Sequence, residues 1–366
     1  MLNYRFKKRL LILSIFIFIA GTVHASTFVD GGNRLVNTQM TDGSWEWNLG
    51  SGVSSTNQAA PAGMGLLAAY NQTGDINYLN QAIAAGEFII ANSPTHHTQN
   101  GIFMSELSRV TGDNRYADTV KSDYYDALEA GTFEKGGLFY DTATYAQYIL
   151  NLRIDQEYDN LALWDLGTAA YGAELIGASE SELVTWGNYI ETGLNAWHSA
   201  YSSTGNNYAV LGLAGSILGL AALNQDLDNP ISGGDYLDGA MTAGDLADIL
   251  ITYQAPSGGF SKYPDYPLDA YAGAQATAFS IIALIEIDAE LYDTQINKAS
   301  SWLQSIQLQT GGWSDGWAGI GTERNEVTGE VLWSMNAAVP EPSTMILLGF
   351  GLLSIASIGR KKLHTL

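Results

Sequence analysis

Three carboxylates and four aromatic rings stand out in this chain as groups able to do chemistry. Trp164-Asp165 opens an apolar run and sets an acid beside an indole. Glu326 holds the place that Gln58 and Gln275 hold in two related stretches, so it is the odd charge in a series of amides. Asp269 lies with Asp265 in a segment rich in aromatics, and Asp141 and Glu323 sit in comparable segments. Cleaving a glycosidic bond takes two carboxyl groups flanking it, one kept protonated by burial or by a neighbouring charge. Asp165, Glu326 and Asp269 are therefore the candidate catalytic residues. Trp47, Trp164, Tyr266 and Trp317 are the candidate substrate-binding residues, because an exposed ring face suits the apolar face of a sugar. Each also has a plainer reading. Asp165 can cap its helix, Glu326 can favour a helix N-terminus, and loop aromatics can lock neighbouring segments together.

Composition narrows the remaining chemistry. The chain has no cysteine, which removes thiolate metal sites, cysteine nucleophiles and disulfides. His96-His97 is a loop pair without a nearby acid cluster, and the aspartates of 226–228 and 235–238 lack EF-hand spacing. No metal and no cofactor is expected. A P-loop, a dinucleotide fingerprint and a Gly-x-Ser-x-Gly elbow are all missing from the sequence. Of 16 basic residues, four lie between Arg5 and Arg9 and three between Arg360 and Lys362. Between those clusters nine basic residues face 38 acidic ones, a formal charge of −29 that repels phosphate backbones and argues against nucleic-acid partners.

The elements that must position these groups are helices in a repeating pattern. Gln39-x3-Gly43-x-Trp45, Gln254-x3-Gly258-x-Phe260 and Gln307-x3-Gly311-x-Trp313 share one spacing, each with a glycine stop followed by an aromatic residue. The aromatics Trp45, Phe260 and Trp313 are expected to stack on their own glutamines and lock adjacent repeats. Thr73-Gly-Asp recurs as Thr111-Gly-Asp, a helix-hairpin turn with a glycine stop and an aspartate cap. Pro61–Tyr70 and Leu211–Leu220 are apolar all round, as helices packed on both sides would be. The spacing predicts amphipathic outer helices over 27–38, 78–91, 116–130, 181–198, 237–253 and 294–308. Inner helices are predicted over 61–70, within 143–177 and over 206–223, 272–287 and 326–336, and the alternation is read as six outer–inner pairs. Two apolar segments compete for the inner place in 143–177. The longer loops, 39–57, 92–100, 131–142, 254–271 and 309–325, fall on one face, where function is expected to gather.

The Gln-x3-Gly-x-aromatic pattern resembles the repeat of squalene and hopene cyclases and, more loosely, that of protein prenyltransferase β-subunits. That resemblance implies an all-α, single (α/α)6 toroid of the terpenoid-cyclase type. It does not extend to those activities. The Asp-x-Asp-Asp proton donor of the cyclases is missing, and so is the cysteine of the prenyltransferase zinc site.

The two ends read as addresses. Residues 1–25 pair a basic start with the apolar run Leu10–Ala20 and a Val23-His-Ala25 cleavage site, a signal peptide for export. At the other end Pro340-Glu341-Pro342 precedes an apolar span of about 344–359 and Arg360-Lys-Lys362. This resembles a PEP-CTERM sorting signal over 339–362. The likeness implies an exosortase partner, a transient membrane anchor and delivery to the surface or exopolysaccharide matrix of a Gram-negative cell, with signal peptidase acting first. The toroid is then residues 26–338. Its expected role is to bind a polysaccharide or build matrix structure; the alternative is a glycoside hydrolase or polysaccharide lyase working at the toroid mouth.

Overall fold

Helices that are apolar on every side need neighbours on every side, and a ring inside a ring supplies them. The computed structural model describes residues 26–92, 97–151, 161–204, 209–232, 237–261, 269–314, 316 and 322–339. Its first helix, α1, spans 26–38. There follow α2 (Thr56–Thr73), α3 (Ile76–Ala91) and α4 (Asn100–Thr111). Next come α5 (Arg115–Val120) and α6 (Asp126–Glu129), joined through a π-helical turn over Lys121–Tyr125. The chain continues with α7 (Thr142–Asn151), α8 (Leu161–Leu175), α9 (Glu180–Thr204) and α10 (Ala209–Leu223). It finishes with α11 (Ala243–Ile251), α12 (Ala274–Asp288), α13 (Asp293–Ser305) and α14 (Asn325–Ala338). Helices α2, α4, α8, α10, α12 and α14 each pack on the next, and α14 returns to α2, closing an inner ring. The outer helices lie antiparallel around it, so the molecule is the (α/α)6 toroid.

Three small antiparallel ribbons mark one face. β1 (Trp45–Glu46) pairs with β2 (Ser54–Ser55), β3 (Phe133–Lys135) with β4 (Leu138–Tyr140), and β5 (Trp313–Ser314) with β6 (Glu323–Arg324). They precede α2, α7 and α14, and two of them therefore stand where the chain enters an inner helix; we call this face the mouth. A bridge between Ser261 and Ala272 makes the same entry before α12. Inner helices run from the mouth to the closed face, so α1 begins and α14 ends at the closed face. There the Gln72 amide of α2 donates to Asn336 Oδ1 of α14 at 2.8 Å.

The Gln-x3-Gly-x-aromatic stretches work as clamps through hydrogen bonds that tie neighbouring repeats together. Gln39, Gln254 and Gln307 each donate Nε2 to the carbonyl of their own motif glycine, at 2.9, 2.9 and 2.8 Å. The same nitrogen reaches the next outer helix: Gln81 O at 3.0 Å, Gln295 O at 2.8 Å and, for Gln307, Thr27 O at 3.1 Å. The last of these joins the final repeat to the first. Trp45 and Trp313 turn their indole N–H back onto Leu35 O and Leu303 O, ten residues upstream, at 2.9 and 2.8 Å. The motif glycines Gly43, Gly258 and Gly311 have φ of 90°, 107° and 92°, and a Cβ there would run into the backbone carbonyl of the neighbouring outer helix. Side chain and backbone therefore both demand glycine. Gln307→Ala removes two buried-side hydrogen bonds at the seam of the ring and should lower unfolding free energy by about 1–2 kcal/mol in a urea melt.

The inner ring is tight because glycines let backbones meet. A Cβ on Gly329 of α14 would strike the Pro61 carbonyl and Ala62 Cα of α2, and one on Gly167 of α8 would strike the Gly215 carbonyl of α10. Where two apolar segments competed in sequence, α8 takes the inner place and α7 lies outside against α9. The predicted 237–253 helix is only α11, because the chain from Asn224 to Thr242 is irregular among its described residues. The sorting helix predicted beyond residue 339 lies outside the described residues, and no described helix is long and apolar enough to cross a membrane.

Candidate functional site at the mouth

The floor of the mouth is built from the first turns of the inner helices. Gln58, Gln275 and Glu326 occupy the same register near the starts of α2, α12 and α14, and Gln99 immediately precedes α4. One turn deeper, four residues on, lie Phe279 and Glu330. Glu330 is a crosspiece. Its Oε2 accepts from Gln275 Nε2 at 3.0 Å and its Oε1 from Gln99 Nε2 at 3.4 Å, so one carboxyl joins three inner helices or their approaches. Trp164 of α8 stacks on Phe279 of α12, centroids 3.3 Å apart and planes 7° from parallel. Below it Thr168 donates to Thr98 Oγ1 at 2.9 Å. His97 Nε2 lies 3.0 Å from Thr56 Oγ1.

Burial sets the charge of this floor. Glu330 is fully buried, and desolvation, reinforced by the charge of Glu326 one turn away, pushes its carboxyl well above the usual carboxylate range. Glu326 is half-buried in the first turn of α14, where the helix dipole favours a negative charge. Two acids thus stand four residues apart on one helix face, one fully buried and one half-buried.

Two aromatic groups form the rim. Trp47 is 43% exposed, and its carbonyl accepts from Gln58 Nε2 at 3.2 Å and Arg324 Nη1 at 2.9 Å. The Arg324 guanidinium also lies 5.5 Å from the Trp47 ring centroid. On another sector, the turn end of the β3–β4 hairpin, where Lys135 faces Leu138, places Lys135 Nζ 2.9 Å from the Tyr145 hydroxyl of α7, with Tyr140 and Tyr148 flanking that ring. Burial pulls the Lys135 ammonium down from its ordinary pKa, opposed by the charge of Asp165. Burial, then the same Asp165 charge, pushes the Tyr145 phenol up. At the hairpin tip Leu138 and Phe139 are exposed.

This geometry sorts the candidates read from the amino-acid sequence. Asp165 is the fifth residue of α8, past the cap position, and half-buried within reach of Lys135 and Tyr145. Glu326 is on the floor. Asp269 is exposed and accepts the Ser257 backbone N–H at 2.9 Å, which pins the loop carrying Gly258; hydrogen bonding from the Ser257 side chain first and from this N–H second holds its carboxyl below the usual range. Trp164 is buried and serves as the floor beneath the mouth, while Trp47 offers an open ring. Tyr266, Trp317, Asp265 and the Pro340-Glu341-Pro342 signature lie outside the described residues. Asp141 caps α7 by accepting from Thr144 N at 2.7 Å, and Glu323 pairs with Arg34. Glu330, Gln99, Lys135 and Tyr145 were missed. The i, i+4 spacing of Glu326 and Glu330 in an apolar run was the available signal for the first of them. Among the described residues no three His, Asp or Glu side chains are grouped to hold a metal ion.

Comparison with known proteins places the chain in two respects. Residues 338–361 match the PEP-CTERM protein-sorting motif, which marks the chain for export and exosortase sorting to the cell surface. No curated protein sequence matches the chain. Among solved structures it is similar to an unsaturated glucuronyl hydrolase specific for heparin, with 12% identity, TM-score 0.55, and 87% of this chain and 97% of that one covered. It is also similar to a protein from Actinoplanes, with 17% identity, TM-score 0.50, and 86% and 99% covered. At these identities the likeness is one of fold. The chain is an α/α toroid bearing a PEP-CTERM sorting motif.

Proposed function

We propose that the toroid binds a surface or matrix polysaccharide at its mouth, in a Gram-negative cell whose exosortase processes the C-terminal signal. In this reading residues 1–25 are removed by signal peptidase, 26–338 are the binding domain, and 339–362 hold the chain transiently in the membrane. The observation that carries the reading is Trp47. An indole face stands open at the rim while its own backbone is held by Gln58 and Arg324, so its presentation costs a ligand little ordering. Trp47→Ala should weaken glycan binding by about tenfold or more on a glycan array followed by calorimetry, with the thermal midpoint unchanged. An unchanged affinity would remove the mouth from the reading.

A second reading is hydrolysis, favoured by the Glu326 and Glu330 carboxyls standing one turn apart on the floor of the mouth. Full burial keeps Glu330 from touching a substrate, so Glu326 would have to work with an acid from another sector, such as Asp165. Release of reducing ends from a polysaccharide panel, lost in Glu326→Gln, would decide for the enzyme.

A further inference from the structure

The mouth carries a second open ring besides Trp47. In the β3–β4 hairpin, Gly136 and Gly137 take φ of 63° and 80°, the tight two-residue turn that fixes strand register. Its other end is locked by aromatic contacts. Phe133 meets Tyr124 and Tyr145 edge-on, with centroids 5.2 and 5.1 Å apart, and Tyr140 meets Tyr145 at 5.6 Å. Lys135 ties the turn end to the Tyr145 hydroxyl, within reach of the Asp165 charge on α8. On a ribbon held at both ends, an exposed apolar side chain is a fixed feature. Leu138, opposite Lys135, is 61% exposed, and Phe139, opposite Glu134, is 68% exposed. Phe139 is the most exposed large apolar side chain among the described residues. Directly opposite residues share a face of the ribbon, so the pairing sets a bare ring beside the exposed Glu134 carboxylate.

We propose that Phe139, with Glu134 beside it, is a second sugar platform, so that one polysaccharide chain engages Trp47 and the hairpin together. The inference rests on the glycan-binding reading and adds a second contact and a minimum length for the ligand. A ring packs on the apolar face of a sugar while a carboxylate next to it accepts from the hydroxyls. Trp47 shows the same arrangement, an open ring with a polar partner, the Arg324 guanidinium. Both platforms stand on ribbons of the mouth. Trp47 lies before α2 and the hairpin borders α8, with α4 between those two helices in the inner ring. Neighbouring axes about 9 Å apart put α2 and α8 about 16 Å apart in a ring of six. A disaccharide covers one platform. A longer chain reaches both, and its second contact is then intramolecular and raises affinity steeply.

The test is calorimetry of the full chain with two neutral size ladders, dimers, tetramers and octamers of β-1,4-glucan and of α-1,6-glucan. Neutral probes suit a chain of formal charge −22, which repels anionic ones. In at least one ladder the octamer should bind about tenfold or more tighter than the dimer. Phe139→Ser should remove that gain and leave the dimer affinity and the thermal midpoint at the parent values. Glu134→Gln should cost the octamer about threefold. Equal affinity for dimer and octamer in both ladders, an octamer gain that survives Phe139→Ser, or no binding of either octamer would overturn the second platform. A parent that sediments as a dimer beside a monomeric Phe139→Ser variant would assign the ring to self-contact and overturn it too. In each case, binding on the glycan array that Trp47→Ala abolishes would leave the glycan-binding reading standing, whereas a blank array would remove both.

Discussion

Gly329→Ala should lower the unfolding free energy by about 3 kcal/mol, the upper range for overpacking, although it adds one methyl group. Most core substitutions are relieved by a neighbouring side chain that changes rotamer. Here the added carbon meets the Pro61 carbonyl and Ala62 Cα, which belong to the backbone of α2. Relief would require α14 and α2 to part, and they are the two helices at which the ring closes. Gly244→Ala makes the contrast. Its new carbon would come no nearer than 3.5 Å to the Thr242 hydroxyl, at the start of outer helix α11. Helix propensity should then stabilise by about 0.5 kcal/mol. Urea melts of the two variants check the pair. Equal, small effects would mean that the inner ring has slack.

Glu330→Gln should change how stability depends on pH. The folded-state pKa of Glu330 is raised, by burial first and by the Glu326 charge second. From the unfolded value of about 4.3 upward, the unfolded chain releases this proton while the folded one keeps it. The folded state then binds more protons than the unfolded state, so stability falls as pH rises through that window. The slope is about 1.4 kcal/mol per pH unit for one group. Below the window the carboxyl is neutral in both states and has no effect. The substituted glutamine would keep the shape and a polar head without the titration, so the variant should gain on the parent steadily from about pH 5 upward. Glu182 is pushed up to about 7 by burial, and it gives parent and variant alike a slope of the same sign up to neutrality. Only the difference between the two proteins therefore reports on Glu330. Parallel stability–pH curves would mean that Glu330 is ionised in the fold.

The repeat was legible because its signals are covalent and local. A glutamine, a glycine of positive φ and an aromatic at fixed spacing recur where the chain enters α2, α12 and α14, and Trp45, Phe260 and Trp313 are all fully buried as that pattern demands. The choice between α7 and α8 was not legible. Both are apolar and of helical length, and only packing against α4 and α10 sends α8 inside. Glu326 was visible as a charge among amides, whereas Glu330 reads as an ordinary surface acid until ring closure buries it. The groups that feel the Asp165 charge, Lys135 and Tyr145, come from β3 and α7, and β3 is three residues, too short to leave a period in the sequence.

The direction of α14 has a consequence for how the molecule stands. The sorting motif starts at residue 338, the last residue of α14, with no linker between fold and signal. Whatever grips the motif therefore grips the closed face. The mouth lies at the other end of that helix, about 20 Å away at 1.5 Å per residue. A bilayer or surface polymer holding the chain there acts as a pedestal, and the mouth opens away from it. Copies held side by side would share one outward direction, so a population of tethered chains would form an oriented layer, all cups upright, open to the medium.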